Sequence, residues 1–171
     1  MLLIERHIIK SSDVRYKGLL DYLHKSKNLY NTALYAIRQY YFEHKDEKKN
    51  KYLNYYAVDR LFKETKNHDY YSLPVDAAQQ VLKQADQDFK SFFKLLKLKH
   101  AGKYNKQVRI PRYKNKNGYN TLTINAVKLG KKLKTDGIAT IPNIKLQFSN
   151  IINFKTCKQV RFVPKSGYVE M

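Results

Sequence analysis

The sequence predicts an α+β protein, a small β-barrel or sheet with three helices inserted after its first strand. A short apolar run opens the chain, apolar residues at helical spacing fill residues 11–100, and short β-like runs separated by turns fill residues 101–171. A lone first strand needs hydrogen-bonding partners, and only the C-terminal strands can supply them. The helices are therefore expected to interrupt one β unit.

The first strand is predicted over residues 2–9, and three helices follow it. Ser11, Ser12 and Asp13 are good N-cap residues for a first helix that ends near Glu43. One face of this helix is apolar at spacings of three, four or seven, comprising Leu19, Leu23, Tyr30, Leu34, Ile37 and Tyr41. This stripe predicts packing against another helix.

Two further helices are predicted before residue 100. A shorter one is indicated by Tyr55, Val58, Leu61 and Phe62, followed by a loop at residues 67–72. Pro74 suits the first turn of a third helix. Its apolar stripe, the strongest periodic signal in the chain, comprises Ala78, Val81, Leu82, Ala85, Phe89, Phe92, Phe93 and Leu96. Core packing is the favoured role for that stripe.

The C-terminal segment predicts strands. They fall at residues 121–125, 138–141, 144–148 and 159–163, with a turn at 164–167 and a return strand at 168–171. A strand of about four residues is short against the usual five or six. We therefore expect an N-terminal piece of a longer protein or a truncated reading frame, with a short natural edge strand as the alternative.

The charge of the chain predicts a polyanionic partner. Its formal net charge is +20, from 34 basic and 14 acidic residues. Residues 1–98 contain 18 basic and 12 acidic residues, a net of +6, whereas residues 99–171 contain 16 and 2, a net of +14. Solubility needs a net charge of only about 2–8. The asymmetry favours nucleic acid or an anionic membrane surface.

The aromatic residues favour nucleic acid over membrane. The chain has 15 Tyr and 8 Phe among its cations, a mixture suited to base stacking and phosphate contact. The most basic half has turn and strand character, unlike a membrane-surface helix. No apolar run approaches a membrane span or a signal peptide. A soluble, cytoplasmic protein without a membrane partner is expected.

The clearest candidate binding motif lies at residues 107–116. Pro111 favours an extended backbone, so that neighbouring side chains project alternately. Guanidinium groups fork onto phosphate, and a tyrosine ring stacks on a base. The predicted contacts are Arg109, Arg112, Tyr113, Lys114 and Lys116. A solvated basic loop is the alternative, and the surrounding charge favours binding.

Two weaker groups of candidates complete the predicted binding surface. Asn28, Asn31 and Arg38 lie off the apolar stripe of the first helix and are candidates to face a nucleic acid. Lys131 and Lys132 lie in a cationic turn, where a solvated turn and phosphate contact are equally favoured.

The sequence offers no candidate active site or metal site. Its five histidines are scattered, and its single cysteine, Cys157, rules out an internal disulfide or a cysteine-rich zinc site. Metal-dependent nuclease chemistry uses several carboxylates. The basic half has only Asp136 and Glu170, so neither catalysis nor a cofactor is expected of this chain.

Three segments together resemble TnpB, the OrfB family of insertion-sequence proteins. Residues 29–34 (LYNTAL) resemble its first-helix signature. Residues 73–97, with AAQQVL at 77–82 and FKSFF at 89–93, resemble its next hallmark. Pro111 to Lys114 (PRYK), followed by Tyr119, resembles the basic motif after it. The segments occur in the family's order and near its spacing, and they cover nearly the whole chain.

The resemblance implies a specific organisation. TnpB proteins are RNA-guided DNA endonucleases related to type V CRISPR effectors. The resemblance assigns residues 1–10 and 101–171 to a β-barrel wedge domain and residues 11–100 to a helical recognition insertion. This part of the family binds the guide-RNA scaffold, the RNA–DNA duplex and a short flanking DNA motif. Approximate matching places Tyr55, Gln79 and Thr123 where the family contacts that motif.

The same comparison implies that this chain does not cut DNA by itself. The family's RuvC-like catalytic domain, with its three carboxylates and divalent metal ions, lies beyond residue 171. The expected role is non-catalytic binding of structured guide RNA and target DNA. The alternatives are a subunit completed in trans by a RuvC-bearing chain, a stand-alone DNA-binding repressor that needs no RNA, and a basic ribosomal-type protein.

Overall fold

The fold, taken from a computed structural model, is α+β, as predicted. The structure describes residues 4–46, 52–125, 137–147 and 157–171. In chain order the elements are β1 (Ile8–Lys10), α1 (Tyr16–His44), α2 (Tyr55–Glu64), α3 (His68–Tyr71), α4 (Val75–His100), β2 (Leu122–Asn125), β3 (Ile138–Ile141), β4 (Ile144–Gln147), β5 (Gln159–Lys165) and β6 (Tyr168–Glu170).

Helix α1 begins three residues after the predicted cap. The Asp13 carboxylate accepts a hydrogen bond from the backbone N–H of Arg15 at 2.9 Å and pairs with the Arg15 guanidinium. These contacts lower the pKa of Asp13 to about 2, chiefly through the side-chain hydrogen bond from Arg15. Asp13 therefore closes the turn before the helix, and Arg15 occupies the N-cap position.

The other helices follow the apolar stripes, with one addition. The segment predicted as a loop contains the short helix α3, whose first turn is capped by Asn67 Oδ1 accepting from the Tyr70 N–H at 3.1 Å. Pro74 is the N-cap of α4 rather than a residue of its first turn. The described residues between β1 and β2 thus form four helices where three were predicted, because the Asn67 side chain caps a short helix within the expected loop.

The C-terminal strands do pair with the first strand. The order β1-β6-β5-β2 is antiparallel throughout, and β3 and β4 form a separate hairpin. Ile9 faces Val169 across the β1–β6 pair. The mixture of helices and strands confirms the α+β class. Within the described residues this sheet is open, and a closed barrel is not shown.

One hydrophobic core joins the helices and the sheet. Alternate residues of β2 and β5 are buried, with Leu122 opposite Phe162 and Ile124 opposite Val160. Their outward neighbours, including Thr123 and Arg161, remain accessible. The strand period therefore separates a core face from a polar face.

The β3–β4 hairpin packs against the start of α1. Tyr22 Oη donates to the Pro142 carbonyl at 3.1 Å. A Cβ added to Gly18 would lie 3.1 Å from Ile144 Cδ1. The absence of a side chain at Gly18 therefore permits the close approach of helix and hairpin.

Candidate nucleic-acid interface

The basic strap, residues 107–120, connects α4 to β2 and runs antiparallel along α1. Contacts to its successive residues come from Arg38, Asn31, Lys27 and Leu23, in descending order along the helix. Arg38 to Leu23 is 15 positions, or about 22 Å at the helical rise. The strap is therefore an irregular segment laid along one helix, with a turn closed by the Gly118 N–H donating to the Asn115 carbonyl.

Two side chains of α1 bind the middle of the strap through its backbone. Asn31 Nδ2 donates to the Lys114 carbonyl at 3.0 Å, and Asn31 Oδ1 accepts from the Lys114 N–H at 2.8 Å. Lys27 Nζ donates to the Lys116 carbonyl at 2.6 Å, although the Lys27 residue is only 4% exposed. These hydrogen bonds are made to backbone groups of the strap, so the strap side chains take no part in them.

Cation–ring contacts hold the first part of the strap. The Arg38 guanidinium lies 4.8 Å from the ring centroid of Tyr113 and donates to the Pro111 carbonyl at 3.4 Å. Lys114 Nζ lies 4.8 Å from the centroid of Tyr30. Tyr30 Oη donates to Asp88 of α4 at 2.7 Å, and burial, reinforced by this bond, raises the pKa of Tyr30. The strap is thereby tied to both long helices.

A buried polar cluster holds the end of the strap. Asn120 donates its backbone N–H to the Leu23 carbonyl at 3.1 Å and its side-chain Nδ2 to Ser26 Oγ at 3.2 Å and Gln84 Oε1 at 3.0 Å. Ser26 Oγ in turn donates to the Thr121 carbonyl at 3.1 Å. Buried polar groups need such partners, so this cluster fixes where the strap enters β2.

The remaining strap side chains alternate only before Pro111. Val108 and Ile110 pack against the core and Arg109 between them is exposed, as predicted, but beyond Pro111 the adjacent residues Arg112 and Tyr113 are both exposed, so the predicted alternation does not continue there. Lys116 is also exposed. The structure thus presents three cations outward from a backbone that is held in place.

A polar groove lies beside the strap, between α4 and the outward face of β2 and β5. It has a volume of about 490 Å³ and is lined by Gln80, Val81, Lys83, Gln84, Gln87, Thr121, Thr123, Gln159 and Arg161. These described lining residues include two cations and no carboxylate. Amides and hydroxyls both donate and accept hydrogen bonds, so the groove suits an anionic ligand with hydrogen-bonding edges.

The residues matched to a DNA-motif contact are only partly brought together. Thr123 lines the groove, directly opposite Arg161 in the β2–β5 register. The Tyr55 ring lies 5.2 Å from Lys83 Nζ, itself a lining residue. The Gln79 side chain instead interacts with the Tyr70 hydroxyl, and Gln80 takes the position in the groove.

The predicted helix residues have different placements from one another. Asn31 and Arg38 bind the strap, so their immediate partners are within the chain. Asn28 is half-buried beside them, and its carbonyl accepts from Thr32 Oγ1. Lys131 and Lys132 lie outside the described residues.

Sequence reasoning missed the glutamine row of the groove. Gln80, Gln84 and Gln87 share one face of α4 at spacings of four and three, off its apolar stripe. That spacing is visible in the sequence and could have indicated a polar face of α4. Arg161 could have been recognised only as an outward-facing residue of a predicted strand, which is a weaker indication.

The described residues contain no group of three or more His, Cys, Asp or Glu that could hold a metal ion. In the same parts of the chain, no helix has both the length and the apolar character needed to cross a membrane. No protein-family model matches the sequence, and no curated protein is significantly similar to it.

Proposed function

We propose that this chain binds nucleic acid as the non-catalytic N-terminal part of a TnpB-like RNA-guided DNA endonuclease. Its ligands in this role are the scaffold of a structured guide RNA, the RNA–DNA duplex and a short flanking DNA motif. The sheet and helices would then belong to a wedge barrel and its recognition insertion. Cleavage, and the metal ions it requires, would reside in a RuvC-like domain outside these residues.

The observation that carries the proposal is the construction of the basic strap. Asn31 and Lys27 bind its backbone, while Arg109, Arg112 and Lys116 point outward. Cations on a preorganised backbone bind phosphate with less loss of conformational freedom than those on a mobile loop. The net charge of +14 over residues 99–171, from 16 basic and 2 acidic residues, gives the surrounding field the same sign.

The groove supports the DNA part of the proposal. Base edges in a nucleic-acid groove are recognised by amide, hydroxyl and guanidinium groups. Gln80, Thr123 and Arg161 supply these three chemistries in one groove. We assign the groove to base edges of the flanking motif and the strap to phosphates.

The proposal is tested by matched charge removal. We expect R109A/R112A/K116A to bind a structured RNA at least tenfold more weakly than the wild type, because three outward phosphate contacts are lost. The control, K94A/K97A/K99A, removes the same charge from exposed positions at the end of α4. Equal losses of RNA affinity in the two variants would show that only net charge matters and would contradict a specific binding site on the strap.

The ligand distinguishes the proposal from a stand-alone DNA-binding repressor. The chain is expected to bind structured RNA more tightly than a DNA duplex of equal length. Tighter binding to duplex DNA without RNA would favour the repressor. A nuclease completed in trans predicts instead that a RuvC-bearing chain restores cleavage in a mixture of the two chains.

A further inference from the structure

Two tyrosines of the strap expose part of their rings beside α1. Tyr113 is 44% exposed and Tyr119 is 41% exposed. Each meets a side chain of the helix: the Arg38 guanidinium lies 4.8 Å from the Tyr113 centroid, and the His24 ring lies 6.4 Å from that of Tyr119 at an interplanar angle of 74°. Both rings are therefore held in position while part of their surface stays open.

The helix fixes the spacing of the two rings. His24 and Arg38 are 14 positions apart, which places them on one face of α1 and about 21 Å apart along its axis. Asn31, midway between them, holds Lys114. The strap narrows this spacing further, because Tyr113 and Tyr119 are six residues apart, a reach of about 20 Å at most, and their neighbours Lys114 and Asn120 are held at helix positions 31 and 23, about 12 Å apart. The two rings are therefore too far apart for adjacent bases and match bases roughly four to six positions apart in a stacked strand with a rise of about 3.4 Å.

The surface between the rings is cationic. Lys116 and Arg112 are exposed near them, and buried Lys27 lies beneath the Lys116 carbonyl. Aromatic rings interspersed with cations form the surface typical of single-strand binding, where bases stack and phosphates pair with the charges. In a duplex the bases are paired and covered by their neighbours, so exposed rings of this kind fit unpaired bases better.

We propose that Tyr113 and Tyr119 are two stacking platforms for an unpaired RNA segment laid along α1, with one base on each ring and roughly three to five nucleotides between the two bases. The inference rests on the proposed function for the identity of the polyanion. It adds the strandedness of the bound segment, its path and Tyr119 as a second stacking side chain beside Tyr113.

The test uses an unstructured RNA of about 12 nucleotides, within the usual site size of single-strand modules. Fluorescence anisotropy would be measured for the full chain and for Y113A, Y119A, Y113F and Y119F. Each alanine variant is expected to weaken binding roughly 5- to 100-fold, whereas each phenylalanine variant stays within about twofold. The control is Y71A, because Tyr71 on α3 is 56% exposed and its ring contacts Tyr70 rather than a residue of the strap.

Salt dependence separates stacking from charge. Y113A and Y119A should leave the slope of log affinity against log salt unchanged, whereas R112A/K116A should make it shallower by about 1.4 at roughly 0.7 per phosphate of a single strand. Replacing the stacked bases by abasic nucleotides should weaken wild-type binding but leave Y113A/Y119A unaffected. This double-mutant cycle, which combines base removal in the RNA with tyrosine removal in the protein, measures the coupling between base and ring directly.

Several results would overturn the inference. RNA binding by the wild type with unchanged affinity in both alanine variants would overturn the platforms and leave the proposed function standing. A loss of duplex binding in Y113A and Y119A as large as their loss of single-strand binding, or equal binding of single-stranded DNA of the same sequence, would overturn the assignment to unpaired RNA. A wild type that binds no nucleic acid would contradict both proposals. Thermal unfolding of each variant shows whether it remains folded.

Discussion

The side-chain amide of Asn31 makes two hydrogen bonds to the backbone of Lys114, donating to its carbonyl at 3.0 Å and accepting from its N–H at 2.8 Å. An amide side chain thus satisfies both polar groups of one residue in a segment that pairs with none of the described strands. This pairing lets an irregular basic segment lie on a helix without unsatisfied backbone groups at that point.

Removing the Asn31 amide should loosen the strap. We expect N31A to lower the free energy of unfolding by about 1–3 kcal/mol, because two polar groups of Lys114 lose their partners. Trypsin should also cleave faster after Arg112 and Lys114. Urea denaturation and limited proteolysis measure the two effects. N28A is the control, since within the described residues the Asn28 side chain makes no hydrogen bond to the strap; equal behaviour of the two variants would contradict the assigned role.

Asp76 should stabilise the junction between α4 and β2. Its carboxylate accepts from the Asn125 backbone N–H at 2.8 Å and from Asn125 Nδ2 at 2.7 Å. It also lies in the first turn of α4, where a negative charge is favourable. D76A is expected to cost about 1–3 kcal/mol of unfolding free energy in urea denaturation.

The control for Asp76 is another aspartate on a helix. Asp21 is paired with Lys25 at i,i+4 on the exposed surface of α1. Because exposed pairs of this kind contribute only about 0.3–0.5 kcal/mol, D21A should change stability little. A D21A loss as large as that of D76A would show that charge alone, and not the bonds to Asn125, accounts for the effect.

Gly18 and Ile144 should be energetically coupled. An alanine at position 18 gains up to about 1 kcal/mol of helix propensity over glycine, but its Cβ would lie 3.1 Å from Ile144 Cδ1. The I144V substitution removes that methyl group. G18A/I144V is therefore expected to be at least about 0.5 kcal/mol more stable than the sum of the single effects. Additive effects in the cycle would indicate that helix and hairpin do not pack closely there.

Stability should fall at alkaline pH. Burial first, and then hydrogen bonds to Asp88 and Asp59 respectively, raise the pKa values of Tyr30 and Tyr70 above the ordinary 10.0. Above pH 10 the unfolded chain releases these protons while the folded chain keeps them, so stability present below pH 10 is lost as pH rises.

Substituting the two tyrosines isolates this loss from the titration of lysines. Y30F and Y70F should each flatten the decline of melting temperature between about pH 10 and pH 12, because the phenyl ring has no proton to release. Y35F, at an exposed position of α1, should follow the wild type. A wild-type slope retained in Y30F and Y70F would contradict the assignment.

The sequence predicted the helices and strands better than the contacts between them. Apolar spacing located the long helices, and the lone strand before α1 correctly required a C-terminal partner, found in the pairing of Ile9 with Val169. Asn31 and Arg38 were correctly placed off the core stripe. Periodicity cannot say what covers a polar helix face, and there the strap, 73 to 83 residues away in sequence, forms their immediate contacts.

The groove shows the same limit at a longer range. The glutamine row of α4 was visible as spacing, but its meeting with Thr123 and Arg161 depends on how α4 packs beside the sheet. The approximate match also chose Gln79, one residue from the groove position of Gln80. A shift of one residue rotates a helical side chain by about 100°, enough to exchange an internal contact with Tyr70 for a groove contact.

The most direct test of the account is the salt dependence of RNA binding by the full chain and by R109A/R112A/K116A. A phosphate-driven strap predicts a steep negative slope of log affinity against log salt for the wild type. The variant slope should be shallower by about 2, at roughly 0.7 for each lost contact to a single strand. A wild-type slope near zero, or identical slopes for the two proteins, would contradict the claim that the strap of residues 107–120 binds the phosphates.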